Sequence, residues 1–296
     1  MNLQSSSEQL YQPRCIWPVG AELGEGPLWL PGESLLYFVD IKGQRLHRCD
    51  ASGLQRQSWI APQPIGFVQP LRNGGLIAGM KDGLYRFGGS VFEKVYAVED
   101  DLPGNRLNDA FTDHEGHLWF GSMDDAEQAP TGSLFRLEDD RHCAVKDNGY
   151  VITNGPAISP DRRHFYHTDT LAQIVYVFDL DAHGDLSNKR ALIRIRDGYP
   201  DGTAIDSGGD IWVALFAGGR VERYAPTGVL RQTVRMPCSN VTKLTFGGPD
   251  LRTAFVTTAC KGLGAEQRKA EPLAGGVFSF VTDTPGQPQA FIQKGI

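Results

Sequence analysis

The sequence predicts an all-β fold: a six-bladed β-propeller with four-stranded blades around a central channel. Three observations carry this. A unit recurs six times at spacings of 40, 43, 46, 47 and 42 residues, each unit reads as successive strands separated by turns, and convincing helical periodicity is absent. A sandwich would not repeat at this period, and a barrel would not come in groups of four strands.

Each unit opens with a short strand and a turn rich in Gly, Asp, Asn and Pro. A hydrophobic strand follows, in order LLYFVDI, GLIAGM, LWFGSM, HFYHTDT, IWVALF and AFVTTA. The third strands are QRLHRC, GLYRF, GSLFRL, QIVYVFDL, GRVERY and GGVFSF, reached through a glycine or small residue. Weaker fourth strands read as RQSWI, VFEKVYA, RALIRI and LRQTVRM. Two segments are left over, CIWPVGAE near the start and QPQAFIQK near the end. One of them is expected to complete the blade begun by the other end, closing the ring and removing its open edge.

No linker-like tract divides the 296 residues, so one propeller domain is expected over 15–296, after a mobile tail over 1–14. The formal net charge is -6 with acids and bases interspersed, which argues against a nucleic-acid or anionic-membrane surface. No basic end followed by an apolar stretch opens the chain, and no run approaches a membrane span, so a cytoplasmic protein is expected. The five cysteines are scattered and never CxxC, the pattern of isolated buried thiols rather than a disulfide frame or zinc site. A small-molecule ligand and a monomer or weak homo-oligomer are expected.

The phase of the repeat names a site. Counting back eleven positions from the first core residue of each second strand gives Glu25, Ile65, Asn108, Asn154, Asp201 and Lys243. The innermost strands of a propeller line its channel, so equivalent positions converge at one mouth. A lone Asn-Gly or Asp-Gly is usually a turn, and Asp113 and Asp206, five residues further into their repeats, read as turn formers. Glu25 and Asp201 brought together would repel unless a cation lay between them. With the neutral Asn154 they make a hard-oxygen set suited to a divalent ion that keeps open positions. Lys243 could assist a substrate or pair with an acid. Core or rim packing is expected of His167, and structural hydrogen bonding of Asp40 and Asp169. No GxSxG elbow or Walker loop is present.

The blocks GEGPLW, NRLNDAFTDHEGHLWFGSM, ITNGPAISPDRRHFYHTDT, YPDGTAIDSGGDIWVALFAGGRV and NVTKLTFGGPDLRTAFVTTA together resemble the regucalcin/gluconolactonase family, from about residue 15 onward. The later blocks, including PLAGGVFSF, are more similar to its bacterial aldonolactonases, such as xylonolactonase and arabinolactonase. The resemblance implies a six-bladed propeller that hydrolyses a sugar lactone with one divalent cation (Ca2+, Zn2+, Mn2+ or Fe2+). It implies Glu25, Asn154 and Asp201 as metal ligands, and Arg106 and Asn108 as substrate contacts. A family loop that carries a Glu reads DDAEQAPTG here, which moves the expected sugar contact to Asp124 or Asp125. Asp201 is the candidate general base and later acid, although a neighbouring cation would weaken it as a base. The long loop CKGLGAEQRKAEPLAGG is expected at the same mouth as part of a lid. Two alternatives stand: a phosphotriesterase-like metal hydrolase, favoured by an apolar, aromatic-lined mouth, and a non-catalytic calcium-binding propeller, favoured by a large exposed apolar patch.

Overall fold

Six antiparallel four-stranded sheets succeed one another along the chain in a computed structural model that describes residues 11–139 and 142–293. Their innermost strands are Gly24–Leu30, Ile65–Pro70, Asn105–Thr112, Thr153–Ile158, Tyr199–Ile205 and Val241–Gly247. Each packs against the innermost strand of the next blade, and the sixth packs against the first, so the ring is closed. The fold is a six-bladed β-propeller, as the period required.

The ring is sealed by the early of the two leftover segments. Arg14–Trp17 pairs antiparallel with Val277–Val281 and becomes the fourth strand of the sixth blade. Among the described residues the late segment forms no strand; it bridges Leu71 through Ile292, and Gly286 just before it bridges Asp206. Of the expected mobile tail, residues 1–10 lie outside the described residues. Tyr11 is buried, its ring 5.4 Å from Phe280 and 6.0 Å from Trp212.

Two elements carry no sequence pattern. The fourth strand of the third blade, His142–Tyr150, is largely exposed, so little apolar alternation marks it. The helix Ala265–Ala270 buries no residue and therefore has no apolar stripe for periodicity to reveal.

The core lies between blades. Leu28, Tyr37 and Val39 of the first blade pack with Val68, Ala78 and Tyr85 of the second, and the same scheme recurs around the ring. Two buried tryptophans are pinned alike. Asp113 accepts from Trp119 Nε1 at 2.9 Å, Asp206 accepts from Trp212 Nε1 at 3.0 Å, and each Asp also takes the amides of its own turn. Arg136 and Arg223 lie over the two indoles at 5.5 and 5.0 Å.

Two histidines in the core make the fold acid-sensitive. His47 and His167 are buried, and burial pushes both down to about 4. Unfolded histidine binds protons near pH 6.5, so the unfolded state holds more protons between about pH 6.5 and 4. Stability is full above that window and falls as pH descends through it, by about 2 kcal/mol per histidine at pH 5. Among the described residues neither ring nitrogen of His167 has a hydrogen-bond partner, so His167→Phe forfeits none there. That variant should show a smaller drop in Tm between pH 7 and pH 5 than the parent. An equal drop would clear His167 of the effect.

Candidate metal centre

All six innermost strands carry a one-residue bulge near the mouth, at positions that differ by a residue or two from strand to strand. Pairing slips between Glu25 and Leu28, Ile65 and Phe67, Leu107 and Ala110, Asn154 and Ala157, Pro200 and Thr203, and Val241 and Lys243. A bulge sets two residues against one and re-aims a side chain. Here it turns side chains inward at the mouth. The glycine after each expected ligand serves this geometry. Gly26 and Gly155 hold φ of 53° and 55°, where a side chain is disfavoured, and a Cβ on Gly202 would stand 2.3 Å from Lys243 Cγ.

Glu25, Asn154 and Asp201 line one cleft, together with Arg106 and Asn108, and all five are buried. The carboxyl groups of Glu25 and Asp201 stand close enough to act on one another. Burial first, and then the charge of Asp109, pushes Glu25 up to about 7. Burial, then the charge of Glu25, raises Asp201 well above the usual carboxylate range. Neither forms an ion pair among the described residues: Lys243 pairs with Asp109, Lys261 with Glu127, and Arg106 with Asp125.

Among the described residues no three of His, Cys, Asp and Glu cluster as a metal group. A centre here therefore depends on Asn154 as its third donor. Its amide is oriented from both ends, Nδ2 donating to Thr170 Oγ1 at 2.9 Å and Oδ1 accepting from Asn108 Nδ2 at 2.9 Å. An amide oxygen has two lone pairs, so one is left. Two buried carboxylates with no ion-pair partner among the described residues, beside an oriented amide oxygen, fit a hard divalent cation.

Arg106 is positioned by its neighbours. Asp125 accepts from its Nε at 2.9 Å, and Asn108 Oδ1 and the Leu107 carbonyl accept from Nη1 at 2.6 and 3.2 Å. Lys42 donates to the same Asp125 oxygen at 2.7 Å. Burial lowers the Arg106 pKa against the opposing pull of Asp125, but an arginine in this company stays charged.

Three expected substrate contacts lie elsewhere. Lys243 does not line this cleft. Its stem passes over Gly202, and Nζ pairs with Asp109, facing the cavity at the other end of the channel. Asp124 points into its own loop, accepting from the amides of Ala126, Gln128 and Ala129, which hold its carboxyl below the usual range. Asp125 acts through Arg106 rather than facing the cleft. The loop residue that does line it is Glu127, paired with Lys261 from the long loop of the sixth blade.

Sequence reading missed Glu127, Lys261, Lys42 and Asp109. Asp109 had a signal: Gly26, Gly66, Gly155 and Gly202 follow their ring positions, whereas a charge follows Asn108. That carboxylate takes the Gly155 amide at 2.8 Å as well as Lys243. Asp40 and Asp169 hold turns, Asp40 accepting from the amides of Glu22, Leu23 and Gly43. His167 packs edge-on against Tyr150, away from the cleft.

Residues 23–260 match the family described as the SMP-30/Gluconolactonase/LRE-like region, and the chain belongs to that family. It is 32% identical over 278 residues to the 6-deoxy-6-sulfogluconolactonase of Pseudomonas putida, covering 92% of this chain and 96% of that protein. It is 36% identical over 278 residues to the regucalcin of Xenopus laevis, covering 90% and 93%. A solved structure of a calcium-binding protein, regucalcin from Agrobacterium tumefaciens, superimposes with a TM-score of 0.91 at 25% identity, over 96% of this chain and 98% of that one. No helix among the described residues is long and apolar enough to cross a membrane.

Proposed function

We propose that this protein hydrolyses a sugar lactone, an aldono-1,4- or 1,5-lactone of the xylono-, arabinono- or gluconolactone kind, to the aldonic acid. One divalent cation would be held by Glu25, Asn154 and Asp201. The observation that carries the reading is the approach of two buried carboxylates, neither with an ion-pair partner among the described residues, in one cleft. The family relatives named for lactone hydrolysis support it.

A bound divalent cation supplies Lewis-acid polarisation of the carbonyl and a lowered pKa for water. The chain's own residues do the rest. Arg106, held by Asp125 and Asn108, keeps its Nη2 for a substrate oxygen or the emerging carboxylate. Asp201 takes the proton of the attacking water and returns it to the departing ring oxygen. Water's oxygen bonds to the carbonyl carbon and the ring C–O bond breaks. The product acid ionises, releasing one proton.

Purified protein should acidify a weakly buffered solution of five- and six-carbon sugar lactones, read with a pH indicator. The rate should fall to background in chelator and return with a divalent ion. No metal-dependent rate on any lactone would reject the assignment. Binding of Ca2+ without turnover would favour the non-catalytic alternative.

A further inference from the structure

An ion pair crosses the channel just behind the ligand set. Asp109 comes from the third blade and Lys243 from the sixth, blades that face each other in a closed ring of six. Both side chains are buried, and neither lines the cleft. Each rests against the residue that follows an expected ligand. Asp109 Oδ2 accepts from the Gly155 amide at 2.8 Å, beside Asn154, and Oδ1 accepts from Lys243 Nζ. The Lys243 stem covers Gly202, beside Asp201, so closely that a Cβ there would stand 2.3 Å from Lys243 Cγ.

Stability gives no reason for charge at this place, because a buried ion pair does little better than packed apolar side chains of the same volume. Behind a cation site the two charges have a consequence. Burial does most to raise Glu25 and Asp201; Asp109 adds to both, after Glu25 in the case of Asp201, and Lys243 lowers Glu25. An acid that feels Asp109 gains more from a bound cation, and one that feels Lys243 gains less.

Resting on the cation site proposed above, we infer that Asp109 and Lys243 set its affinity for a divalent ion from behind. Asp109 is an added negative charge that strengthens binding, and Lys243 is the positive charge that limits it. Neither is a ligand; both act through Glu25, Asp201 and the backbone beside Asn154. A purely structural pair would behave otherwise. Broken from either end, it would loosen the same strands and weaken binding both times. Opposed charges instead give effects of opposite sign.

The test titrates chelator-stripped full-length protein with Ca2+ and, separately, Mn2+ in a calorimeter. Asp109→Asn keeps one accepting oxygen and should weaken binding by about 10- to 100-fold. Lys243→Met keeps the stem over Gly202 and should tighten binding by about 3- to 10-fold, although the protein melts lower. The double variant carries neither charge and should bind within about fivefold of the parent. It decides the matter alone where a single variant fails to fold. Weaker binding by Lys243→Met, unchanged binding by Asp109→Asn, or a double variant outside that range overturns the inference and leaves the cation site standing. A parent that binds neither ion overturns the cation site, and this inference with it.

Discussion

Asp201→Asn is expected to lower kcat/KM for a lactone by about 10³-fold or more, the range of a lost general base. The substitution is nearly isosteric at a buried position, so the fold should persist. Its effect on stability separates the cation site from mere packing. In chelator, the parent holds two carboxyl groups close together, each raised by burial, with Asp201 raised further by the charge of Glu25. Removing one acid relieves that crowding, so chelated Asp201→Asn should melt no lower than the chelated parent. A divalent ion at about a hundredfold excess over Kd should stabilise the parent by roughly 2.7 kcal/mol, and the variant far less. If the variant kept most of the turnover, Asp201 would have no catalytic part. If chelated and loaded parent melted alike, the carboxylate pair would not be a cation site.

The fold was legible because a propeller repeats one local rule, strand and turn, at a fixed period, and that rule needs no knowledge of distant contacts. The same period brought Glu25, Asn108, Asn154 and Asp201 to one cleft. It failed at Lys243 for a reason in the backbone. Counting without gaps treats the inner strands as uniform, but each contains a bulge, and the bulge does not fall at the same step. Glu25 and Asn154 stand before theirs, whereas Lys243 stands after the slip from Val241. A slip of one residue reverses the face a side chain takes, so Lys243 runs back along the channel. The loop residues failed differently. Asp124, Asp125 and Glu127 lie within four positions, yet the first holds its own turn, the second holds Arg106, and the third lines the cleft. Which acid faces the mouth depends on loop conformation and on Lys42 and Lys261, 83 and 134 residues away. No local pattern encodes that.

Lys243→Met should be among the most destabilising single changes in the protein. Its partner Asp109 is 2% exposed, and methionine keeps the apolar stem over Gly202 while deleting the charge. An unpaired buried carboxylate costs about 3–5 kcal/mol, a fall in Tm on the order of 10 °C. Asp109 already contributes to raising both Glu25 and Asp201, so freeing its charge also adds repulsion beneath the carboxylate pair. The loss should therefore be larger in chelator than with a divalent ion bound. Asp109→Asn in the same chain removes the orphaned charge and keeps one of the two oxygens that accept from the amides of Ala110 and Gly155. The double variant should recover part of the lost Tm, giving a coupling outside additivity. The opposite pattern, an unchanged Tm with a raised KM, would make Lys243 a substrate contact after all and would contradict its placement on the far side of the ring.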